Sequence, residues 1–403
     1  MAPVEFICHS KHFSEIRALL GDAIVAVPIK QRAVVLSLLK SRGLLALARI
    51  IFGERRVIDL RPLVHRNLLR RKIRLPWLYS IPLIPAIYRQ ILQVKARMST
   101  ALLEEVFATH PQAHALVFNG FLMPDALTLA VSKALRRERL VVELGFFPGT
   151  TQVDVEGVND DCTLPREPEF YEFAASTIPE GKPAQLVRRP TKQKAQGEIS
   201  IPQAYLFAPM QVPSDMQILH HSPWIRNMVH FYEVLADLAD SHPDLQIVIK
   251  EHPSFPLSIR RRVKPHPRMI FANHNETRAL IEGAQAVVTI NSTVGIESLL
   301  LGKKVITLGR AYYNIEGLVL HAEDAEQLEQ AFCRLKTWET HVELRDQFIR
   351  YVYNVFLLKS GKNGPTQEFV EALRRRARRS DCHHEYLRRF AMRRGERSTE
   401  PSH

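Results

Sequence analysis

The sequence predicts an α/β fold made of two Rossmann-type domains facing a central cleft, and three observations predict it. Short apolar runs alternate with helical patterns along the whole chain, the pattern that parallel sheets with crossover helices require. At 403 residues the chain is too long for one comfortable core and about right for two. A polar, charged stretch at 185–202, "QLVRRPTKQKAQGEISIP", separates two apolar regions and is the expected linker. The expected division is therefore 1–190, 200–350 and a tail at 351–403 of helices and basic residues, with the last helices returning toward the first domain.

In the first domain "VEFICHS", "AIVAVPI", "HALVFNG" and "RLVVELG" read as strands, each closed by polar or Gly-containing sequence. In the second, "AYLFAPM", "LQIVIKEHP", "RMIFANH", "AQAVVTINS" and "KKVITLG" are the strands, separated by helical segments such as "WIRNMVHFYEVLADLADSH" and "NETRALIEGA". The stretch "VVELGFFPGTTQVDVEGVNDDCTLPREPEFY" (141–171) crowds acids, glycines and aromatics after an apolar strand. It reads as a long loop.

Hydrophobic content of 46% with 24% charged residues is that of a globular protein. No apolar run approaches the roughly 18–20 residues that span a bilayer. The first residues carry no secretory signal pattern, so the expected location is cytoplasmic. The four cysteines, Cys8, Cys162, Cys333 and Cys382, lack metal spacing and disulfide density, which fits a reducing compartment.

The net charge of +13 is uneven. No acid lies between Asp59 and Glu104, where Arg70, Arg71, Lys72 and Arg74 stand among leucines, isoleucines, Trp77, Tyr79 and Tyr88. A second cluster, "LRRRARRSDCHHEYLRRFAMRRGERS", closes the chain. Apolar interleaving favours an anionic membrane surface over nucleic acid, while a solvated helix face explains such runs equally well.

Open parallel sheets bind ligands beyond the carboxyl ends of their strands. After "AVVTI" comes "NSTVGIESLLLG", a helix expected to start at Ser292 or Thr293 and to end by Gly302. Such a helix N-terminus can seat a phosphate, although plain N-capping explains Ser292 as well. Glu297 stands too far along for a capping box with Ser292 and suits a ribose diol. At "IVIKEHP", Pro253 stops a strand and leaves Lys250 and His252 at its end, where they can hold or protonate a leaving phosphate. A hydrogen-bonded structural histidine is the plainer reading there. In "FAPMQVPSDMQILHHSPW", Gln211 and Asp215 follow a strand, with His220, His221 and Ser222 close behind. Asp215 is either a helix cap or an acid available as base or nucleophile.

Taken together, "VELGFFPGTTQVDVEGVN…LPREPEFY", "QVPSDMQI", "KEHP" and "NSTVGIESLLLGKKVITLG" resemble the bacterial capsule polysaccharide biosynthesis family, in its single-module β-Kdo glycosyltransferase form, over about residues 115–320. The resemblance implies the two-Rossmann GT-B fold and retaining transfer of Kdo from CMP-β-Kdo, with no cofactor and no metal. It places the nucleophile on Asp215, the phosphate site on Lys250 and His252, the phosphate loop on Ser292 and Thr293, the ribose on Glu297, and acceptor chemistry on Glu143. Gln211 joins the nucleotide-sugar residues.

Residues 143–159 would then wall the acceptor side, their acids handling hydroxyls and their glycines admitting the sugar to the backbone. The implied partners are a nucleotide sugar, a lipid or glycolipid acceptor of phosphatidylglycerol type or one already primed with Kdo, an anionic membrane surface, and the capsule biosynthesis and export machinery. Nucleic acid is not among them. The location that follows is peripheral, at the inner face of the cytoplasmic membrane. Two other readings remain open: a GT-B enzyme for another nucleotide sugar, and a non-catalytic membrane-surface scaffold of capsule assembly.

Overall fold

The computed structural model describes residues 3–53, 57–186, 197–255, 257–361 and 364–398. Contacts divide the chain into two units, one of residues 1–145, 149–163 and 356–403, the other of 146–148 and 164–355. This division departs from the expected one near 190. Residues 164–186 pack with the second unit, and the tail forms no separate body because 356–403 belong to the first. Most of the expected linker, 187–196, lies outside the described residues.

Strands β1 to β5 span Phe6–Cys8, Ile24–Ala26, His114–Phe118, Arg139–Leu144 and Thr150–Asp154; β6 to β11 span Leu206–Pro209, Ile247–Lys250, Met269–Phe271, Ala286–Thr289, Lys304–Thr307 and Leu320–His321; β12 is Leu358–Lys359. The first unit's sheet has the order β12-β5-β4-β3-β1-β2. Its β2, β1, β3 and β4 run parallel, while β5 pairs antiparallel with both β4 and β12.

Alternation along β1 and β3 decides which face each residue covers. Ile7, Ala115 and Val117 pack with Val34, Leu38, Ala96, Leu103 and Leu127 on one side. Phe6, Cys8 and Leu116 pack on the other with Phe369, Val370 and Leu373, from the Gln367–Ala377 helix near the end of the chain. That helix, which carries Arg374, Arg375 and Arg376 of the C-terminal basic cluster, is thus a structural layer of the first unit.

Two of its arginines serve that role. Arg374 grips Glu5 through Nε at 2.8 Å and Nη2 at 3.0 Å. Arg376 is fully buried, bonded to Asp381 and to the carbonyls of Val153 and Phe356.

The segment expected to be loop contains β5. Asp154, Gly145 and Gly157 in it serve its own packing. Asp154 is fully buried and accepts the N–H groups of Glu156 at 2.8 Å, Gly157 at 3.2 Å and Thr163 at 2.9 Å. Buried carboxylates are tolerated when donors surround them in this way. A Cβ on Gly145 would stand 2.0 Å from Thr150 Oγ1, and one on Gly157 2.4 Å from Asp161 Cβ. These glycines are explained by close chain packing, so they are not evidence of sugar access.

The second unit's sheet has the order β11-β10-β9-β6-β7-β8, with every recorded pairing parallel. Counting its strands from β6 gives 3-2-1-4-5-6, the doubly wound order whose direction reverses between β6 and β9. Leu206, Ala208, Ile247, Ile249 and Val288 form one core face with the Met228–Ser241 helix, while Phe207, Val248 and Val287 form the other with Leu280 and Ile281.

Candidate functional site

In the second unit the crevice of interest opens where the strand order reverses, beyond the carboxyl ends of β6 and β9. Gln211 follows β6 and Asn291 follows β9. Gln211 Nε2 donates to Asn291 Oδ1 at 2.8 Å, and the Asn291 N–H returns to Gln211 Oε1 at 3.3 Å. The amide of Asn291 also donates to the carbonyls of Gln217 at 2.9 Å and His221 at 3.2 Å. One buried side-chain pair therefore fixes both strand ends and the Met216–His221 helix. Sequence reading found Gln211 and missed Asn291, which the "NS" of "TINSTVG" reports only once its neighbour across the sheet is known.

Ser292 caps the Thr293–Leu300 helix, its Oγ accepting from Val294 N at 3.2 Å. Thr293 opens the first turn, whose N–H groups and dipole favour an anion. Tyr313 donates to the Ser292 carbonyl at 2.6 Å and fixes the loop from beneath. Gly295 is required by that contact, because a Cβ there would lie 2.2 Å from Tyr313 Oη. Glu297 is fully buried one turn into the helix, and burial together with its charge raises the Tyr313 hydroxyl well above its ordinary value. The sequence expectation treated Glu297 as standing ready for a ribose; the structure instead encloses it.

Lys250 ends β7, beside β6 in the sheet. Its ammonium donates to the carbonyls of Asn273, at 2.9 Å, and Asn275, so it is anchored as well as charged. Burial lowers its pKa. His252 Nδ1 accepts the Ser254 N–H at 3.3 Å and contacts Ser254 Oγ at 2.8 Å. A nitrogen that accepts a backbone N–H carries no proton, so neutral His252 bears its hydrogen on Nε2. Asp215 is exposed and caps the 216–221 helix, Oδ1 accepting from Gln217 N at 3.0 Å. Gln211, Lys250, His252, Ser292, Thr293 and Asp215 thus share the carboxyl edge of one sheet.

Glu143 belongs to the first unit, at the carboxyl end of β4. Its Oε2 accepts from Asn119 Nδ2 at 2.9 Å and its Oε1 from Leu144 N at 2.8 Å. Nearby, Asp125 was not singled out from sequence. It is 8% exposed, accepts Phe118 N–H at 2.8 Å, and is pushed up to about 7 chiefly by burial, with the charge of Glu143 adding to the rise. A carboxyl poised near neutrality at a strand end is a candidate functional group. Its position after "FNG" at the head of a helix made it look like an ordinary first-turn acid. Of the basic residues, Arg70, Arg71 and Arg74 line a first-unit cavity, while Lys72 is exposed and is not among the residues lining it.

A two-unit Rossmann-type protein, with an anion-favouring helix terminus at the reversal point of one sheet, defines the class. Residues 188–359 match the model of a family described as capsule polysaccharide biosynthesis protein. The chain is 42% identical over 301 residues to Protein FixF of Sinorhizobium fredii (strain NBRC 101917 / NGR234), covering 74% of each. It is 32% identical over 125 residues to the capsule polysaccharide modification protein LipB of Neisseria meningitidis serogroup A, covering 28% of this chain and 30% of that one. A solved structure described as Thermosulfurimonas dismutans KpsC, beta Kdo 2,4 transferase, superimposes with a TM-score of 0.43 at 19% identity, covering 65% of this chain and 87% of that one. The chain belongs to the capsule polysaccharide biosynthesis family.

Among the described residues, no helix is long and apolar enough to cross a membrane.

Proposed function

We propose that this protein is a glycosyltransferase of capsule polysaccharide assembly that takes a nucleotide sugar at the β6/β9 crevice, with CMP-β-Kdo as donor and a lipid of phosphatidylglycerol type or a Kdo-primed glycolipid as acceptor. The observation that carries the reading is the Gln211–Asn291 pair, which fixes the strand ends beside the 293–300 helix terminus. A leaving phosphate needs positive charge and N–H donors rather than necessarily a metal. The helix terminus and Lys250 supply both, and no metal cofactor enters the proposal. His252, with its proton on Nε2, suits donation to a phosphate oxygen.

The chemistry follows from the donor. The C2–O bond to CMP breaks with its electron pair leaving on the phosphate, and the oxocarbenium-like centre at C2 is trapped by the Asp215 carboxylate. The acceptor oxygen then attacks C2 as its proton passes to a general base, and the Asp215–C2 bond breaks to restore the carboxylate. Two displacements at one carbon retain configuration. Work at an anionic lipid surface fits the charge of the 61–97 region and a peripheral location on the inner face of the cytoplasmic membrane, where capsule biosynthesis and export machinery would be neighbours.

The test is incubation with CMP-Kdo made in situ and a short-chain phosphatidylglycerol, read by mass spectrometry, with UDP-sugars in parallel. A Kdo-lipid product with released CMP supports the reading. Transfer from a UDP-sugar alone would replace the donor, and no turnover with any donor would favour a scaffold.

A further inference from the structure

The first unit has its own reversal point, between β1 and β3, and a cavity of about 370 Å³ opens there. His9 follows β1, Ile29 and Gln31 follow β2, and Met123 and Pro124 follow β3, so the cavity stands at the carboxyl edge of the sheet. Its size is that of ordinary small-ligand sites.

Two helices close the cavity, and each presents one stripe to it. From Arg61–Arg74 come Asn67, Arg70, Arg71 and Arg74; from Leu83–Thr109 come Tyr88, Leu92, Lys95, Ala96 and Ser99, at helical spacing. Four of the described lining residues are cations, and none of them is an acid. That imbalance follows from the acid-free stretch between Asp59 and Glu104.

The remaining polar groups ask for a different partner. His9 is 1% exposed, and its ring contacts the Pro28 carbonyl while Nδ1 meets no hydrogen-bond partner among the described residues. Burial lowers this histidine to about 4, so at neutral pH it is uncharged and Nδ1 is an acceptor. Gln31 Oε1 is a second buried acceptor with no partner among the described residues. Buried acceptors left unsatisfied destabilise the fold, a cost that a donor from a ligand removes.

We propose that this cavity binds a phosphate ester bearing free hydroxyl groups, its phosphate oxygens held by Arg70, Arg71, Arg74 and Lys95 and its hydroxyls donating to His9 Nδ1 and Gln31 Oε1. Guanidinium groups match phosphate oxygens in geometry as well as charge. Leu92, Met123 and Leu127 provide an apolar wall for the carbon skeleton. The site does not rest on the donor reading, since every residue in it belongs to the first unit, but where its ligand is a lipid headgroup it rests on the proposed phosphatidylglycerol-type acceptor. A polyol phosphate in solution and the headgroup of a hydroxyl-bearing phospholipid share this chemistry.

Calorimetry on the full chain tests the proposal with four probes: glycerol 1-phosphate, methyl phosphate, and dihexanoyl-phosphatidylglycerol and dihexanoyl-phosphatidylcholine below their micelle concentrations. The hydroxyl-bearing phosphates should bind at least about tenfold tighter than methyl phosphate, as a satisfied buried acceptor implies. The double substitution Arg71→Gln with Arg74→Gln, at exposed positions that should not disturb folding, should weaken every phosphate probe by about tenfold or more. Gln31→Leu should reduce the preference for hydroxyls while leaving methyl phosphate unchanged, which a merely unfolded variant would not do. Tighter binding of the glycerol lipid than of glycerol 1-phosphate identifies a headgroup as the source, and equal binding identifies the soluble ester. Absence of binding by every phosphate, binding untouched by the arginine substitutions, or equal affinity for the choline and glycerol lipids would overturn the proposal.

Discussion

Replacing Asp125 with Asn should remove a pH-dependent weakness from the first unit. The carboxyl, 8% exposed, rises from an ordinary 3.8 to about 7, mainly because burial penalises its charged form. The folded state therefore keeps this proton at pH values where the unfolded chain has lost it. Its contribution to stability is full below 3.8, declines as the pH climbs to about 7, and is flat above. At 1.36 kcal/mol per pH unit the interval corresponds to on the order of 4 kcal/mol, or about a thousandfold in the opening equilibrium.

Asn preserves a carbonyl for the Phe118 N–H and cannot ionise. Hydrogen exchange of peptides covering β3 and the Asp125–Ala134 helix reads the difference locally, and comparing both proteins at the same pH cancels the intrinsic exchange rate. The protection of the substituted protein over the parent should grow by up to about a thousandfold from pH 4 to pH 7.5. A ratio that is the same at both pH values would show that Asp125 titrates normally and would refute the reasoning.

Asp215→Asn separates capping from catalysis. Asn caps about as well as Asp, so melting should change little, while transfer should fall by orders of magnitude with CMP binding retained; near-normal transfer would remove the nucleophile. His252→Ala should weaken CMP binding measured by calorimetry, and unchanged affinity in the folded variant would withdraw the assignment. Gly295→Ala drives a methyl into Tyr313 and should cost about 1–3 kcal/mol in denaturant unfolding, a neutral result showing that the loop can shift. Arg376→Met leaves Asp381 buried without its guanidinium and should cost about 3–5 kcal/mol; a loss under about 1 kcal/mol would mean that His384, 2.5 Å from Asp381, suffices for it.

Much of the second unit was legible because its signals are local. All five of its strands named from sequence formed, and the 293–300 helix starts after Ser292 and stops before Gly302, since apolar runs, a capping hydroxyl and a glycine at φ +74° act within a few residues. The sequence also placed Gln211, Lys250, His252 and Ser292 at strand ends, because a strand's length can be read from its own residues. What those side chains do there depended on distant partners. Asn291 holds Gln211, the carbonyls of Asn273 and Asn275 hold Lys250, and Tyr313 closes on Ser292.

Three short or antiparallel strands, β5, β11 and β12, escaped notice. Two-residue strands carry almost no periodicity, and β5 is polar because its buried acid and amide are satisfied by neighbours rather than excluded from the core. Asp125 and His9 became visible only through burial, which no linear pattern encodes. The basic run from Arg70 to Arg74 was plain in the sequence as charge, but only the crossing of two helices over a sheet edge set three of those arginines in the lining of a cavity, because concavity is a property of packed elements and not of any one of them.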